Sequence, residues 1–294
     1  MSGTIRFTKM VGTGNDFLIV DAVHDQPRVS NAQWPALARA MCDRRYGVGA
    51  DGVLVLEPSR VADAKMRVLN PDGSEAAMCG NGARCVARFV AGWPESREPQ
   101  VALETASGLI QGEVDGDRIR IRLSAPRGFR AGLKVVAGGR TFRLASINTG
   151  VPHVVATVDD LDALDVERLG RSIRRHRLFK PHGTNVNFIQ ASATAPNRIR
   201  IRTYERGVEG ETLACGTGVT AAAIIYALSR GQIPRQGAVH RIDVIPRSGE
   251  PLAVSFRVRR DPAMRIEEVR LDGPVRWICE GVFRWSTNGQ GGRR

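Results

Sequence analysis

Two short segments carry residues able to do chemistry at a shared spacing: Cys79-Gly80-Asn81-Gly82 and Cys215-Gly216-Thr217-Gly218. A thiol that opens a helix meets unsatisfied backbone N–H groups and the positive end of the helix dipole, which lower its pKa from about 8.5 and make it a base. The flanking glycines let a ligand approach bare backbone closely. Paired thiols suit the inversion of a carbon centre. One group takes a proton from one face, the other returns a proton to the opposite face, and the roles exchange in the reverse direction. The N–H groups at Gly80-Asn81 and Gly216-Thr217 are placed to hold a carboxylate whose charge grows in the transition state.

The same spacing organises the chain. At an offset of 136 residues Cys79 answers Cys215, Glu75 answers Glu211, Thr13-Gly14 answers Thr149-Gly150 and Gly47 answers Gly183. The halves also end alike, with IRIRLSAP (Ile119 to Pro126) and EVRLDGP (Glu268 to Pro274) each read as a strand closed by a turn. The chain therefore reads as a duplicated domain. Residues 1–130 carry Cys79 and residues 131–294 carry Cys215, with the C-terminal end free to return to the first half. Strand patterns dominate, at Phe17 to Val20, Val53 to Leu56, Lys65 to Leu69, Ile119 to Leu123, Val154 to Val158, Val186 to Ile189 and Arg198 to Tyr204. Helical patterns cover Ala32 to Cys42, Gly82 to Val90, Leu161 to Ile173 and Val219 to Leu228. The second and fourth are apolar nearly all round, apart from Arg84 and Arg88, and such helices must be enclosed. The expected fold is α+β: two pseudo-symmetric domains, each a sheet or barrel wrapped around a central helix with Cys-Gly-x-Gly at its entrance.

Composition narrows the function classes. With 294 residues, 42% hydrophobic and 25% charged, the chain has the makeup of a folded globular protein rather than a disordered or fibrous one. Its longest apolar run, Val219 to Leu228, is too short to cross a bilayer, so a cytoplasmic protein without a membrane partner is expected. Five cysteines, an odd number, argue for reduced thiols; Cys42, Cys85 and Cys279 read as small buried hydrophobes. The net charge of +13 invites nucleic acid, yet the arginines are scattered. The one dense run, Arg171 to Arg177, reads as the solvated end of a helix. The glycine run from Gly47 to Gly52 matches a dinucleotide fingerprint in spacing but leads into a strand instead of a helix. Neither zinc-ligand spacing nor a lysine in the paired motifs suggests a metal or pyridoxal phosphate, so catalysis without cofactor is expected. The terminal run from Asn288 to Arg294 reads as a frayed tail.

The motifs GTGNDF (12–17), RRYGVGADG (44–52), NPDGSEAAMCGNGARC (70–85), NTGVPH (148–153), GTNVNF (183–188) and ERGVEGETLACGTG (205–218) resemble the diaminopimelate epimerase family over essentially the whole chain. The resemblance implies a cofactor-independent epimerase of lysine and peptidoglycan precursor biosynthesis, interconverting LL- and meso-diaminopimelate and usually dimeric. It implies Cys79 and Cys215 as the acid/base pair and Gly80, Asn81, Gly216 and Thr217 as holders of the reacting carboxylate. Asn15, Asn70, Asn185, Glu205 and Arg206 fall on substrate-binding positions, and His153 and Glu205 flank the reaction centre. The chemistry agrees: a substrate charged at both ends needs a cation such as Arg206, an anion such as Glu205, and amides that donate and accept. Two alternatives stand beside this. Another amino-acid racemase of proline or hydroxyproline type would use the same cysteines, and a thiol redox protein would join them in a disulfide.

Overall fold

The computed structural model describes residues 2–96, 99–230, 237–260 and 264–286; the run from Asn288 lies outside them. The chain divides into two compact units, Met1–Ile121 with Val275–Arg294, and Arg122–Pro274.

The first unit contains β1 (Ser2–Gly12), β2 (Asn15–Asp21), α1 (Trp34–Cys42), β3 (Gly52–Glu57), β4 (Ala64–Leu69), the short β5 (Glu75–Ala76), α2 (Gly80–Val90), β6 (Gln100–Thr105), β7 (Gly108–Asp115) and β8 (Arg118–Arg122). The second contains β9 (Arg127–Ala137), β10 (Arg140–Asn148), β11 (Pro152–Thr157), α3 (Val166–Arg174), β12 (Asn185–Ala191), β13 (Arg198–Glu205), the short β14 (Gly210–Thr212), α4 (Gly216–Ser229), β15 (Val239–Ile245) and β16 (Leu252–Arg259). A last strand, β17 (Arg265–Ser286), crosses the boundary between the units.

Pairing within each unit reveals the duplication. In the first, the order is the end of β17, then β1, β2, β3, β4, β6, β7 and β8, with β2–β3 and β4–β6 parallel. The Val275 N–H donates to the Asp117 carbonyl at 2.8 Å and joins the last strand to the first. In the second, the order is β9, β10, β11, β12, β13, β15, β16 and the start of β17, with β11–β12 and β13–β15 parallel. Here the Leu123 N–H donates to the Val269 carbonyl at 2.8 Å. Each unit is thus an eight-stranded barrel with few helices, as the apolar helices require. Helix α2 packs against β1, β2, β4, β6 and β7, and α4 against β10, β11, β12, β13, β15 and β16. Helix α1 lies on its own barrel through Trp34, Leu37, Ala38, Met41 and Cys42, one face at helical spacing, packed with Leu18, Val20, Val53 and Val55.

Three expectations are corrected. The run EVRLDGP does not end in a turn: β17 continues through Pro274, whose ring fits an extended strand, and Val275 supplies the next N–H. Helix α3 starts at Val166 instead of Leu161, because the Asp160 carboxylate captures the N–H groups of Asp162 and Ala163 in a turn and Asp165 then caps the helix through Arg168. The basic run from Arg171 lies at the end of α3 as expected, and there Arg174 pairs with Glu209 at 2.7 Å. Cys279 is exposed on β17, whereas Cys42 and Cys85 are buried as expected and burial pushes both thiols up to about 12.

Candidate active site

In the first unit Cys79 has extended backbone (φ −137°, ψ 118°) and caps α2, its Sγ accepting the Gly82 N–H at 3.4 Å. The sulfur thus sits at the N-terminal end of an enclosed helix, an environment built for an anion. Gly82 serves packing: a Cβ there would stand 3.1 Å from Leu54 Cδ2. Asn81 is buried and donates from Nδ2 to Asn15 Oδ1 at 2.5 Å, and Asn15 donates to Asp51 Oδ2 at 2.9 Å. Arg44 bridges Asp51 and Asp16 at 2.8 and 2.7 Å, and Lys9 reaches Asp16 at 3.0 Å. Burial pushes the Asp16 carboxyl up, but Arg44 and Lys9 more than offset it and hold it below the usual range. From within the barrel the fully buried Arg84 donates to Asn81 Oδ1 (3.0 Å) and Thr13 Oγ1 (2.6 Å). Thr13 holds the turn before Asn15 at φ 54°, a costly conformation for a β-branched residue. Asn70 is tied to its own turn, donating to Ser74 Oγ at 2.9 Å.

In the second unit Cys215 occupies the N-cap position of α4 with similar backbone (φ −122°, ψ 108°) but makes no side-chain capping bond, and it is buried. Strands β11, β12 and β13 lie side by side, with His153 opposite Asn185 and Asn187 opposite Thr203. Asn185 and Asn187, two apart, share one face of β12. Cys215 Sγ lies 3.4 Å from Thr217 Oγ1, and Thr217 Oγ1 lies 3.0 Å from His153 Nε2. Thr149 Oγ1 donates to the Thr217 carbonyl at 2.9 Å. Asn185 accepts the Arg206 N–H at 2.8 Å and donates to the Pro152 carbonyl at 3.1 Å, so it fixes the backbone from which Glu205 and Arg206 project. Burial, with Arg206 nearby, pulls His153 down to about 3, so its ring is neutral at physiological pH. Burial raises the Glu205 carboxyl against the pull of its hydrogen bonds, one of them to Cys215.

Within the first unit, then, the fold joins Cys79, Asn81 and Asn15; within the second it joins Cys215, Thr217, His153, Glu205, Asn185 and Arg206. Sequence reasoning missed Thr13, Arg84, Asn187 and Thr203. Asn187 was signalled only by its alternation with Asn185 in GTNVNF. The second glycine of each motif proves to be a packing requirement, since a Cβ on Gly218 would stand 2.5 Å from Asn187 Oδ1. Among the described residues no cluster of three His, Cys, Asp or Glu could hold a metal ion, and no helix is long and apolar enough to cross a membrane.

Barrels of this kind, each around an enclosed helix, define a fold class shared with solved structures. One is a phenazine biosynthesis protein of the PhzF family from Bacillus anthracis (TM-score 0.74, 16% identity, 95% of this chain and 99% of that one). Another is a probable proline racemase from Agrobacterium radiobacter (TM-score 0.68, 18% identity, 98% and 94%). At those identities the likeness concerns the fold alone. The family model for diaminopimelate epimerase matches residues 7–125 and 145–241. A curated diaminopimelate epimerase from Archaeoglobus fulgidus is 41% identical over 285 residues, covering 91% of this chain and 99% of that protein. The chain belongs to the diaminopimelate epimerase family and is an isomerase.

Proposed function

We propose that this chain interconverts LL- and meso-diaminopimelate, with one of Cys79 and Cys215 removing the Cα proton as thiolate and the other returning a proton as thiol. The observation that carries this reading is the duplicated placement of a cysteine at the N-cap of each enclosed helix, in a chain of this family. The first N–H groups of α2 and α4, at Gly80-Asn81 and Gly216-Thr217, hold the reacting carboxylate and stabilise the charge it gains. Arg206 receives the distal carboxylate and Glu205 an ammonium, while Asn15, Asn70 and Asn185 complete the polar pocket. The neutral His153 acts as a hydrogen-bonding group and not as a proton carrier. The reading needs no cofactor, places the enzyme among reduced thiols in the cytoplasm, and assigns it to lysine and peptidoglycan precursor synthesis. It also includes a homodimer; Trp277, Ile278 and Val282 on β17 are exposed apolar side chains that a second copy could cover, and sedimentation equilibrium measures the state.

Proton NMR of the reduced enzyme with LL-diaminopimelate in deuterated water tests the reaction. Deuterium uptake at Cα together with meso product is the expected result. No uptake by folded enzyme with free thiols would sink the substrate assignment and favour the proline-type reading. Cys79→Ser and Cys215→Ser should each lower turnover by at least about 100-fold while the fold survives, since serine is a far weaker base. A wild-type rate in either would refute the two-base assignment.

A further inference from the structure

Asn187 is fully buried beneath the α4 entrance, and each polar atom of its side chain has a partner. Its orientation follows from one of them. The Val154 carbonyl, 2.9 Å away, can only accept, so the atom facing it is Nδ2. Oδ1 then accepts from Thr203 Oγ1 at 3.0 Å. The second N–H of Nδ2 points to His153 Nδ1 at 3.2 Å, so Nδ1 must be the acceptor and the single ring proton lies on Nε2. That proton faces Thr217 Oγ1 at 3.0 Å. With a lone pair so engaged, the threonine hydroxyl keeps its own hydrogen for Cys215 Sγ at 3.4 Å.

We infer that Asn187 is a positioning residue for Cys215: through the tautomer of His153 it aims the Thr217 hydroxyl at the sulfur, where that hydrogen stabilises the thiolate. The inference rests on reading Cys215 as one of the two bases. The relay moves no proton along its length and sets only the direction of three hydrogen bonds. Position 51 corresponds to position 187 at the 136-residue offset, and there Asp51 accepts from Asn15, which accepts from Asn81. There the bonds run the other way, from Asn81 to a carboxylate, and Asn15 stands two residues before Phe17, the position that answers His153, so the first unit does not repeat the relay. The other groups around the Cys215 relay are Glu205, bonded to the thiol, and Arg206, close to His153.

The first test is side-chain nitrogen NMR of the full-length enzyme, which should show His153 as the neutral Nε2–H form from about pH 5 to 9. An Nδ1–H form or an imidazolium would overturn the inference. The second reads the thiolate itself. In a Cys79→Ala background, alkylation of Cys215 by iodoacetamide is followed against pH by peptide mass spectrometry. Asn187→Asp demands a proton on Nδ1 and reverses the relay, so the profile should move up by about one pH unit, roughly tenfold in rate below the midpoint. Thr217→Val should shift it similarly, and adding Asn187→Asp to Thr217→Val should shift it no further. Independent, additive shifts, or none, would refute the relay. Should the aspartate variant fail to fold, Asn187→Ala replaces it, with the wild-type spectrum still decisive. Neither readout uses turnover. A fully active Cys215→Ser would remove the base assignment, and the tautomer and alkylation profile would still judge Asn187.

Discussion

Single residues in this chain act through the partners the barrel gives them, and His24 illustrates the point away from the catalytic groups. Its Nδ1 meets Asp21 at 2.7 Å, its Nε2 meets Glu95 at 2.8 Å, and its ring packs edge-on against Trp93. The hydrogen bond to Asp21 is the main cause of a pKa raised above the ordinary histidine value. A raised value means that the folded state binds the proton more tightly than the unfolded chain. The stabilisation is therefore complete below about pH 6.5 and is lost as pH rises through the folded-state pKa. His24→Gln should lower Tm more at about pH 6 than at about pH 9. Equal losses at both would show that packing on Trp93, and not charge, is what His24 contributes. Cys79 and Cys215 stand out in the sequence by residue type and spacing because thiols so paired are uncommon, whereas Glu205 and Arg206 are marked only by the family motif. Asn187 and Thr203 do not stand out, since an amide and a hydroxyl gain meaning only when neighbouring strands bring Asn187 to His153 and Thr203 to Asn187.

At the scale of elements, each helix that opens on a cysteine is entered through a short strand, and the glutamate that repeats at the 136-residue offset holds it. Arg67 grips Glu75 with two bonds of 2.9 Å and clamps β5 to β4; Arg202 grips Glu211 with two of 2.7 Å and clamps β14 to β13. The clamps differ in what remains when the repeated glutamate is lost. Arg67 keeps Glu57 at 2.9 Å, whereas Arg202 keeps the Leu161 and Leu164 carbonyls. The Arg202 and Glu211 side chains are each 13% exposed, against 45% for Glu75. Glu211→Ala should therefore cost about 2 kcal/mol by urea denaturation, and Glu75→Ala under about 1. The reverse order would mean that the buried pair is no more than a spacer. The sequence marks these glutamates as repeated but not their use, because an ion pair across strands depends on register. It also reads Phe17 to Val20 and Val53 to Leu56 correctly, where buried apolar runs leave no ambiguity. The exposed β9, with mostly outward-facing residues, carries no such signal.

Over the whole molecule, the duplication explains why the last described strand pairs with the first. In each repeat eight strand-forming segments are followed by a ninth: β9 pairs with β10 in the second unit, and the end of β17 pairs with β1 in the first. The repeated motifs made the duplication legible. The sequence left the return open without marking the strand that makes it, because a strand's partner is chosen by topology, and EVRLDGP has every local mark of a turn. The physical consequence is that β1 depends on a strand more than 260 residues away. All eleven residues of β1, Ser2 to Gly12, are in register with residues of β17 from Ser286 back to Val275, and Phe283 and Trp285 pack onto the core that holds Ile5 and Phe7. Contacts of such sequence separation form late, and the first unit cannot complete its barrel until the end of the chain is available. A chain stopped after Pro274 should lose hydrogen-exchange protection throughout β1 and expose apolar surface to a dye, while amides of β11 to β13 stay protected. If β1 kept wild-type protection in that truncated chain, the returning strand would be an accessory and the barrel would close without it.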